Sequence, residues 1–287
     1  MMPYRLTPRG GKLRYLPHIV LCTGVLIVAF PIYVTLVAST LTSPEILSGP
    51  MPLLPGPHLV ENYRDALLYG AAATTGQSVA RMLWNTLVMA LVIAIGKIVI
   101  SLLSAYAVVF FRFPLRMLFF WMIFVTLMLP VEVRIMPTYK VVADLGMIDS
   151  FAGLTIPLIA SATATLLFRQ FFLTIPDELV EAAKIDGAGP LRFLWDTVLP
   201  LSRTNIAALF VILFIYGWNQ YLWPLLVTNS PEMTTIVIGL KRMIGTGEGR
   251  TDWQIVMATT ILAMLPPIAV VVLMQRWFVK GLVESEK

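Results

Sequence analysis

The chain of 287 residues contains one cysteine and two histidines, and only 13% of it is charged. Each shortage excludes something. The single Cys22 has no partner for an intramolecular disulfide and stands in an apolar run, where it fills space, so it gives no reading of redox compartment. His18 lies beside that run and His58 in a proline-rich stretch, so neither a histidine-based metal cluster nor a Ser/His pair within a bilayer can be assembled from them. A soluble domain devotes ~25% of its residues to Asp, Glu, Lys and Arg. About half that share, beside 58% hydrophobic residues, excludes an ordinary water-soluble protein. A phosphate-cradling loop is missing too, since that pattern requires Gly, four residues, then Gly-Lys-Ser/Thr. The nearest approach, GTGEGRT at 245–251, has the wrong spacing and Arg in place of Lys. Uphill work by this chain therefore requires energy from another subunit.

What the sequence does have is long uncharged runs. About 20 helical residues cross a ~30 Å hydrocarbon core with every backbone group bonded internally. Four runs satisfy this without a charge: 19–41, 150–168, 204–231 and 253–275. Two more carry ionisable residues, 82–111 with Lys97 and 117–139 with Glu132 and Arg134. The reading is an all-α membrane protein of six transmembrane helices. The first run follows Arg5, Arg9, Lys12 and Arg14 as a signal peptide would, but it is far longer than the ~7–15 residues of a signal h-region and is read as an uncleaved first helix.

Orientation follows the basic residues. With the N-terminus in the cytoplasm, that side receives Arg5, Arg9, Lys12, Arg14, Arg112, Arg116, Arg169, Lys184, Arg192, Arg203, Arg276, Lys280 and Lys287. The other side receives Arg64, Arg81, Lys140, Lys241, Arg242 and Arg250, so the count is thirteen against six. Both termini are expected to be cytoplasmic. The layout is then an N-terminal tail at 1–15, a first helix at 16–41, an extracytoplasmic loop at 42–80, a helical core at 81–280 and a tail at 281–287. The net charge of +5 expresses topology. A nucleic-acid surface would gather Lys and Arg with aromatics on one face, which this sequence does not do.

One segment breaks the apolar pattern between the fourth and fifth helices: DELVEAAKIDGAGPLRFLWDTVLP at 177–200. Thr174 is placed to cap a helix, and Asp177, Glu178 and Glu181 favour the positive end of its dipole. That helix should run to about Asp186. A Gly187-Ala188-Gly189 turn follows, and Pro190 opens a second short helix that is expected to stop before Pro200. Ala182 and Ala183 present little side chain and allow a partner surface to approach closely. Spacing alone also permits a solvated amphipathic connector. A DNA-reading helix-turn-helix is disfavoured because the acids would repel phosphate.

Glu181-Ala182-Ala183, then Gly187, then Leu199-Pro200 resemble the EAA signature of permease subunits of ATP-binding-cassette importers, and the spacing matches throughout. Thr197 stands where the pattern usually has Ile or Val, which leaves the packing of the second short helix open. FRQFF at 168–172 and WNQYLWPLL at 218–226 resemble the MalG-type branch, which imports sugars and related polyols. The runs GKIVISLLSAYAVVFFRFPLR, FFWMIFVTLMLPVEVRI and SATATLLFRQFF bring it nearest to members that import sn-glycerol 3-phosphate, with glycerophosphodiesters in the implied range. The resemblance extends from about Arg81 to the C-terminus. It implies a bacterial inner-membrane subunit that is not an enzyme and binds no cofactor itself, with ATP and Mg on a partner. The implied partners are a second, non-identical permease, two cytoplasmic ATPase subunits and an extracytoplasmic solute-binding protein. The residues implied in coupling to the ATPase are Glu181, Ala182, Ala183, Asp186, Gly187, Ala188, Leu199 and Pro200. A neutral-sugar permease of the same family and, in a different class, an ion-coupled secondary transporter are the competing readings; the latter has no need of an EAA helix.

The ionisable residues inside the runs are the remaining candidates. Lys97 is 16 residues from Arg81 and 15 from Arg112, more than ~20 Å from either flank at ~1.5 Å per residue and too deep to snorkel easily. Glu132 and Arg134 follow Pro130. Charges at that depth are costly unless they are paired or face water. Two readings stand: Glu132 pairs with Arg134 or Lys97 to fix packing, or Lys97 and Arg134 help an anionic phosphate ester through, with Asn219 and Gln220 offering contacts to its hydroxyls.

Overall fold

The computed structural model describes residues 15–71, 77–126, 128–245 and 251–284, with side chains except at 131, 132, 245 and 277–284. The described residues contain helices and no strands. Three helices are long and apolar enough to cross a membrane: α1 (Leu16–Ala38), α4 (Val79–Phe110) and the stretch Trp253–Arg276 of α15 (Trp253–Glu284). Two bent pairs raise the number to five if each is one span, and α5 (Arg116–Val125) is a shorter apolar helix.

The runs read as the third, fourth and fifth helices are broken, the third and fourth beside a proline. Pro130 separates α5 from α6 (Val131–Asp144), because proline has no N–H and bars its predecessor from helical angles. Between α7 (Phe151–Thr155) and α8 (Ala162–Phe172), Pro157 sits in a tight turn and Ser161 caps the new helix by accepting from the Ala164 N–H at 3.3 Å. The bend is 47°. Ser161 O, the first acceptor of α8, takes the Thr165 N–H at 3.1 Å and also the Ser101 hydroxyl of α4 at 3.1 Å, which ties the break to α4. The fifth run is α12 (Arg203–Trp218) followed by the separate α13 (Leu222–Val227). Trp223 of α13 donates its ring N–H to Gly153 O at 3.0 Å.

Among the described residues of the stretch 42–80, α2 (Ser43–Leu47) and α3 (Leu59–Tyr69) flank a proline-rich loop before α4 begins at Val79. Asn62 of α3 donates to Ser39 O and Leu41 O, both at 2.9 Å, and so satisfies carbonyls at the end of α1. Helix α4 is the spine. It packs against α8 and α12, and on its flanks α3, α7 and α14 (Ile236–Gly245) also touch it. Phe168, Phe172, Phe214, Met82 and Met89 are fully buried along it. At Gly217 a Cβ would lie 2.9 Å from the Ala90 Cα, so α12 and α4 meet backbone to backbone there.

Candidate functional site

The segment carrying the EAA residues forms α9 (Asp177–Ile185) and α10 (Pro190–Phe193). Asp177 and Glu178 occupy the first turn of α9 and Lys184 the last, both signs favourable to the helix dipole. Thr174 does not cap it: its hydroxyl donates to Phe171 O at 2.7 Å and closes α8, while Pro176, held extended, occupies the cap position. The end of α9 is built as expected. Gly187 N–H donates to Lys184 O at 3.0 Å and Ala188 N–H to Ala183 O at 2.8 Å, the paired bonds of a left-handed helix stop. Gly187 has φ +70° with open space around it, so backbone conformation rather than room demands glycine here.

After the turn the chain departs from expectation, for the second helix does not stop before Pro200. It continues through a widened turn at Leu194–Val198, where Leu199 N–H reaches back to Leu194 O, into α11 (Leu199–Leu201). Pro200 has no N–H to donate and its ring crowds the carbonyl four residues back; the wider turn just before it relieves that clash. The axis then bends by 73° at Ser202. Thr197 is half-buried in the widened turn.

The segment has two faces. Val180, Ala183 and Leu199 pack on the core, and Phe193 and Leu194 are buried in it. Glu181, Ala182, Asp186 and Gly187 are exposed, and Ala188 and Pro200 half-buried. Three large apolar side chains also project outward: Ile185 at 86% exposure, Leu191 at 73% and Trp195 at 68%. The base beneath them is aromatic. Tyr106 of α4 donates its hydroxyl to Pro190 O at 2.7 Å. Phe193 meets Phe110 edge-on at 5.4 Å, Phe110 lies 5.9 Å from Phe172, and Phe172 lies 5.9 Å from Phe168. The sequence reading passed over Tyr106, Phe110 and Phe193. The i, i+4 spacing of Tyr106 and Phe110 at the end of a long apolar run was the available signal.

Lys97 lies about 27 Å from the start of α4 and about 20 Å from its end at ~1.5 Å per residue, and is only 7% exposed. Its ammonium rests on the ring of Tyr216 in α12, 3.7 Å from the centroid. Arg134 of α6 is exposed, and its neighbour Ile135 is buried in one cluster with Met89 and Ile93 of α4, the latter one turn before Lys97. No carboxylate among the described side chains pairs with either cation; the Glu132 side chain lies outside the described residues. A cation–π contact contributes up to ~2 kcal/mol, whereas a lysine at mid-membrane depth costs ~2.5–3.5 kcal/mol on insertion scales. The ring by itself does not offset the charge. Gln220 Nε2 donates to Tyr216 O at 3.2 Å, while Asn219 ends α12, its side chain exposed. The structure thus joins Lys97, Tyr216 and Gln220, puts Arg134 on a helix whose Ile135 packs with Ile93 of α4, and leaves the Asn219 side chain exposed. Tyr216 was not anticipated, because a tyrosine in an apolar helix carries no signal until its neighbour on another helix is known.

Comparison with known proteins addresses the same features. The family described as "Binding-protein-dependent transport system inner membrane component" matches residues 97–284, which include Lys97 and the EAA segment. The chain is 68% identical over 270 residues to the sn-glycerol-3-phosphate transport system permease protein UgpE of Brucella melitensis, covering 94% of this chain and 96% of that one. It is 68% identical over 274 residues to the protein of the same name from Agrobacterium fabrum, with 96% and 97% covered. For the Pectobacterium atrosepticum protein the identity is 63% over 270 residues, with 94% and 96% covered. A chain of a bacterial ABC transporter that imports the acidic polysaccharide alginate has the same fold, with a TM-score of 0.80 at 21% identity over 96% of this chain and all of that one. The chain belongs to the family of inner-membrane components of binding-protein-dependent transport systems.

Proposed function

We propose that the chain is a permease subunit of an ATP-binding-cassette importer for sn-glycerol 3-phosphate, and that it transmits the work of a separate ATPase through the EAA segment. Three relatives at 63–68% identity along nearly the whole chain carry that substrate in their names. The observation that carries the coupling role is geometric: an exposed apolar tip of Ile185, Leu191 and Trp195 stands on a base tied to α4 by Tyr106 and Phe193. A tip so mounted moves as one body with the helix bundle, so a partner that grips it can turn that bundle.

In this reading both termini and α9 are cytoplasmic, the broken runs each count as one span, and six spans result. The chain supplies one half of the pathway, beside a second permease, two ATPase subunits and a binding protein that delivers the substrate. The test is reconstitution of the whole complex. Glycerol 3-phosphate uptake should depend on ATP and persist when the ion gradient is collapsed. Gly187→Asp should insert at normal levels yet lose uptake, because the helix stop needs a left-handed residue and the tip must fit its partner. Normal transport by that variant would end the coupling role, and uptake of neutral sugars alone by the unmodified complex would end the substrate assignment.

A further inference from the structure

Lys97 stands out among the buried polar groups. Asn85 and Thr86 of α4 are spent on the backbone of 232–236, and Ser101 on Ser161 O. These hold helices together. The Lys97 ammonium donates to no oxygen among the described side chains and rests on a ring whose own residue is 38% exposed. A lysine used only for packing would be expected to end on a carbonyl or a carboxylate, since an ammonium offers three donors. On α6, Arg134 adds a second positive charge next to Ile135, which is buried in one cluster with Ile93, a turn before Lys97, and like charges gathered in one region repel unless an anion joins them. Beyond Tyr216 the helix ends at Trp218, leaving non-helical backbone at 219–221. At membrane depth such backbone is tolerated where it is covered by protein or lines a watery cavity.

We propose that Lys97 and Arg134 are the groups with which this subunit receives the phosphate of a phosphate monoester in transit, and that the ring of Tyr216 holds the Lys97 ammonium when no phosphate is present. The proposal rests on the glycerol-3-phosphate reading above and assigns that substrate's phosphate to particular residues. A phosphate monoester carries about −1.5 to −2 charge at neutral pH and three acceptor oxygens, enough to engage both cations at once. A ring face holds an ammonium more weakly than a phosphate does, so the lysine is retained without being locked. Gln220 fixes the backbone of Tyr216 from one turn further on. Arg134, exposed on α6, meets the anion first, and Lys97 receives it deeper.

The test uses the reconstituted complex with its binding protein, measuring uptake of radiolabelled glycerol 3-phosphate and ATP hydrolysis stimulated by the loaded binding protein. Lys97→Met should lower uptake about 10- to 100-fold while stimulated hydrolysis persists, and Lys97→Arg should recover most of the rate. Arg134→Gln, at an exposed position that tolerates change, should lower uptake about 3- to 10-fold and decides the matter if Lys97→Met fails to assemble. Equal uptake by an assembled Lys97→Met complex and the unmodified one would overturn the proposal, as would full uptake by Arg134→Gln. Restoration of the unmodified rate in Lys97→Met/Glu132→Gln would also overturn it, since Lys97 would then serve only to balance Glu132. If the unmodified complex itself imports no glycerol 3-phosphate, the functional reading fails first; if it does and the variants match it, this proposal alone fails.

Discussion

The most apolar stretches of α1 and α4 have the same mean hydropathy, yet no residue in that of α1 is buried, while half of that in α4 is. The difference lies in the few polar residues. In α4, Asn85, Thr86, Lys97 and Ser101 are all buried, and each reaches a partner outside the helix, Lys97 through the Tyr216 ring and the others through a hydrogen bond. In α1 the side chains of His18, Cys22 and Thr23 are exposed, Thr35 bonds to Pro31 O within the helix, and Tyr33, near the end of the helix and itself exposed, donates to Leu53 O in the following loop. Hydropathy says that a helix sits in the membrane. A polar side chain inside the run says which way it is turned, because an unpaired polar group facing hydrocarbon costs several kcal/mol and packing inward is the escape.

Four tests break or sharpen the contrast, beyond those already described. The largest effect should come from Gly217→Leu, which drives a side chain into the Ala90 backbone of α4. It should cost about 1–3 kcal/mol as overpacking, read as a lowered melting temperature of the complex in detergent. Gly24→Leu in α1 meets open space and should stay within ~0.5 kcal/mol. A comparable loss in both would erase the distinction.

Asn85→Leu comes next. It removes the donor to Glu232 O and Thr234 O, and a buried acceptor left unmade costs ~1–3 kcal/mol. The Asn85 Oδ1 has no partner itself, which places the net loss at the lower end, about 1 kcal/mol. Thr23→Val in α1 is the control, and thermal melts of the two should separate cleanly.

Tyr106→Phe deletes one hydroxyl bond to Pro190 O. Because that carbonyl also receives the Leu194 N–H, the stability loss should be small, about 0.5 kcal/mol. Uptake should nevertheless fall relative to stimulated ATP hydrolysis, since the bond ties α4 to the EAA segment. An unchanged ratio of uptake to hydrolysis would leave the aromatic base a packing feature alone.

The smallest effect is expected beyond the end of α1. The Thr42 backbone N–H, and secondarily its hydroxyl, hold the Glu45 carboxyl below its ordinary range. A depressed carboxyl contributes stability above its unfolded value and loses it as pH falls through the lowered folded value. Acidification below the ordinary carboxylate range should therefore loosen α2, seen as faster amide exchange at 43–47. Glu45→Gln should remove that pH dependence without affecting α4.

Much of the EAA segment was legible from local chemistry. Acids at a helix start, Gly187 after its last turn and Pro190 in the next first turn obey rules that act over a few residues. The misreadings there were local competitions: Thr174 had a nearer carbonyl at Phe171, and Pro200 was accommodated by widening the turn before it. Lys97 was legible as an anomaly of depth. Its partner was not, because Tyr216 is 119 residues further along the chain and only the packing of α12 on α4 brings them together.

By itself the sequence determined that the chain is helical, that it enters a membrane, and where its one polar turn must fall, since hydropathy, helix caps and the EAA spacing are properties of neighbouring residues. Only the tertiary structure decided where the runs break, which face of each helix turns inward, and that Lys97 ends on an aromatic ring. Those outcomes depend on what the other helices offer at the same depth: a ring N–H from Trp223 for the Gly153 carbonyl, to which Pro157 has no N–H to give, a glycine that lets two backbones touch, a ring in place of a carboxylate. Partners of that kind, set by packing across long stretches of chain, leave no periodic mark in the sequence.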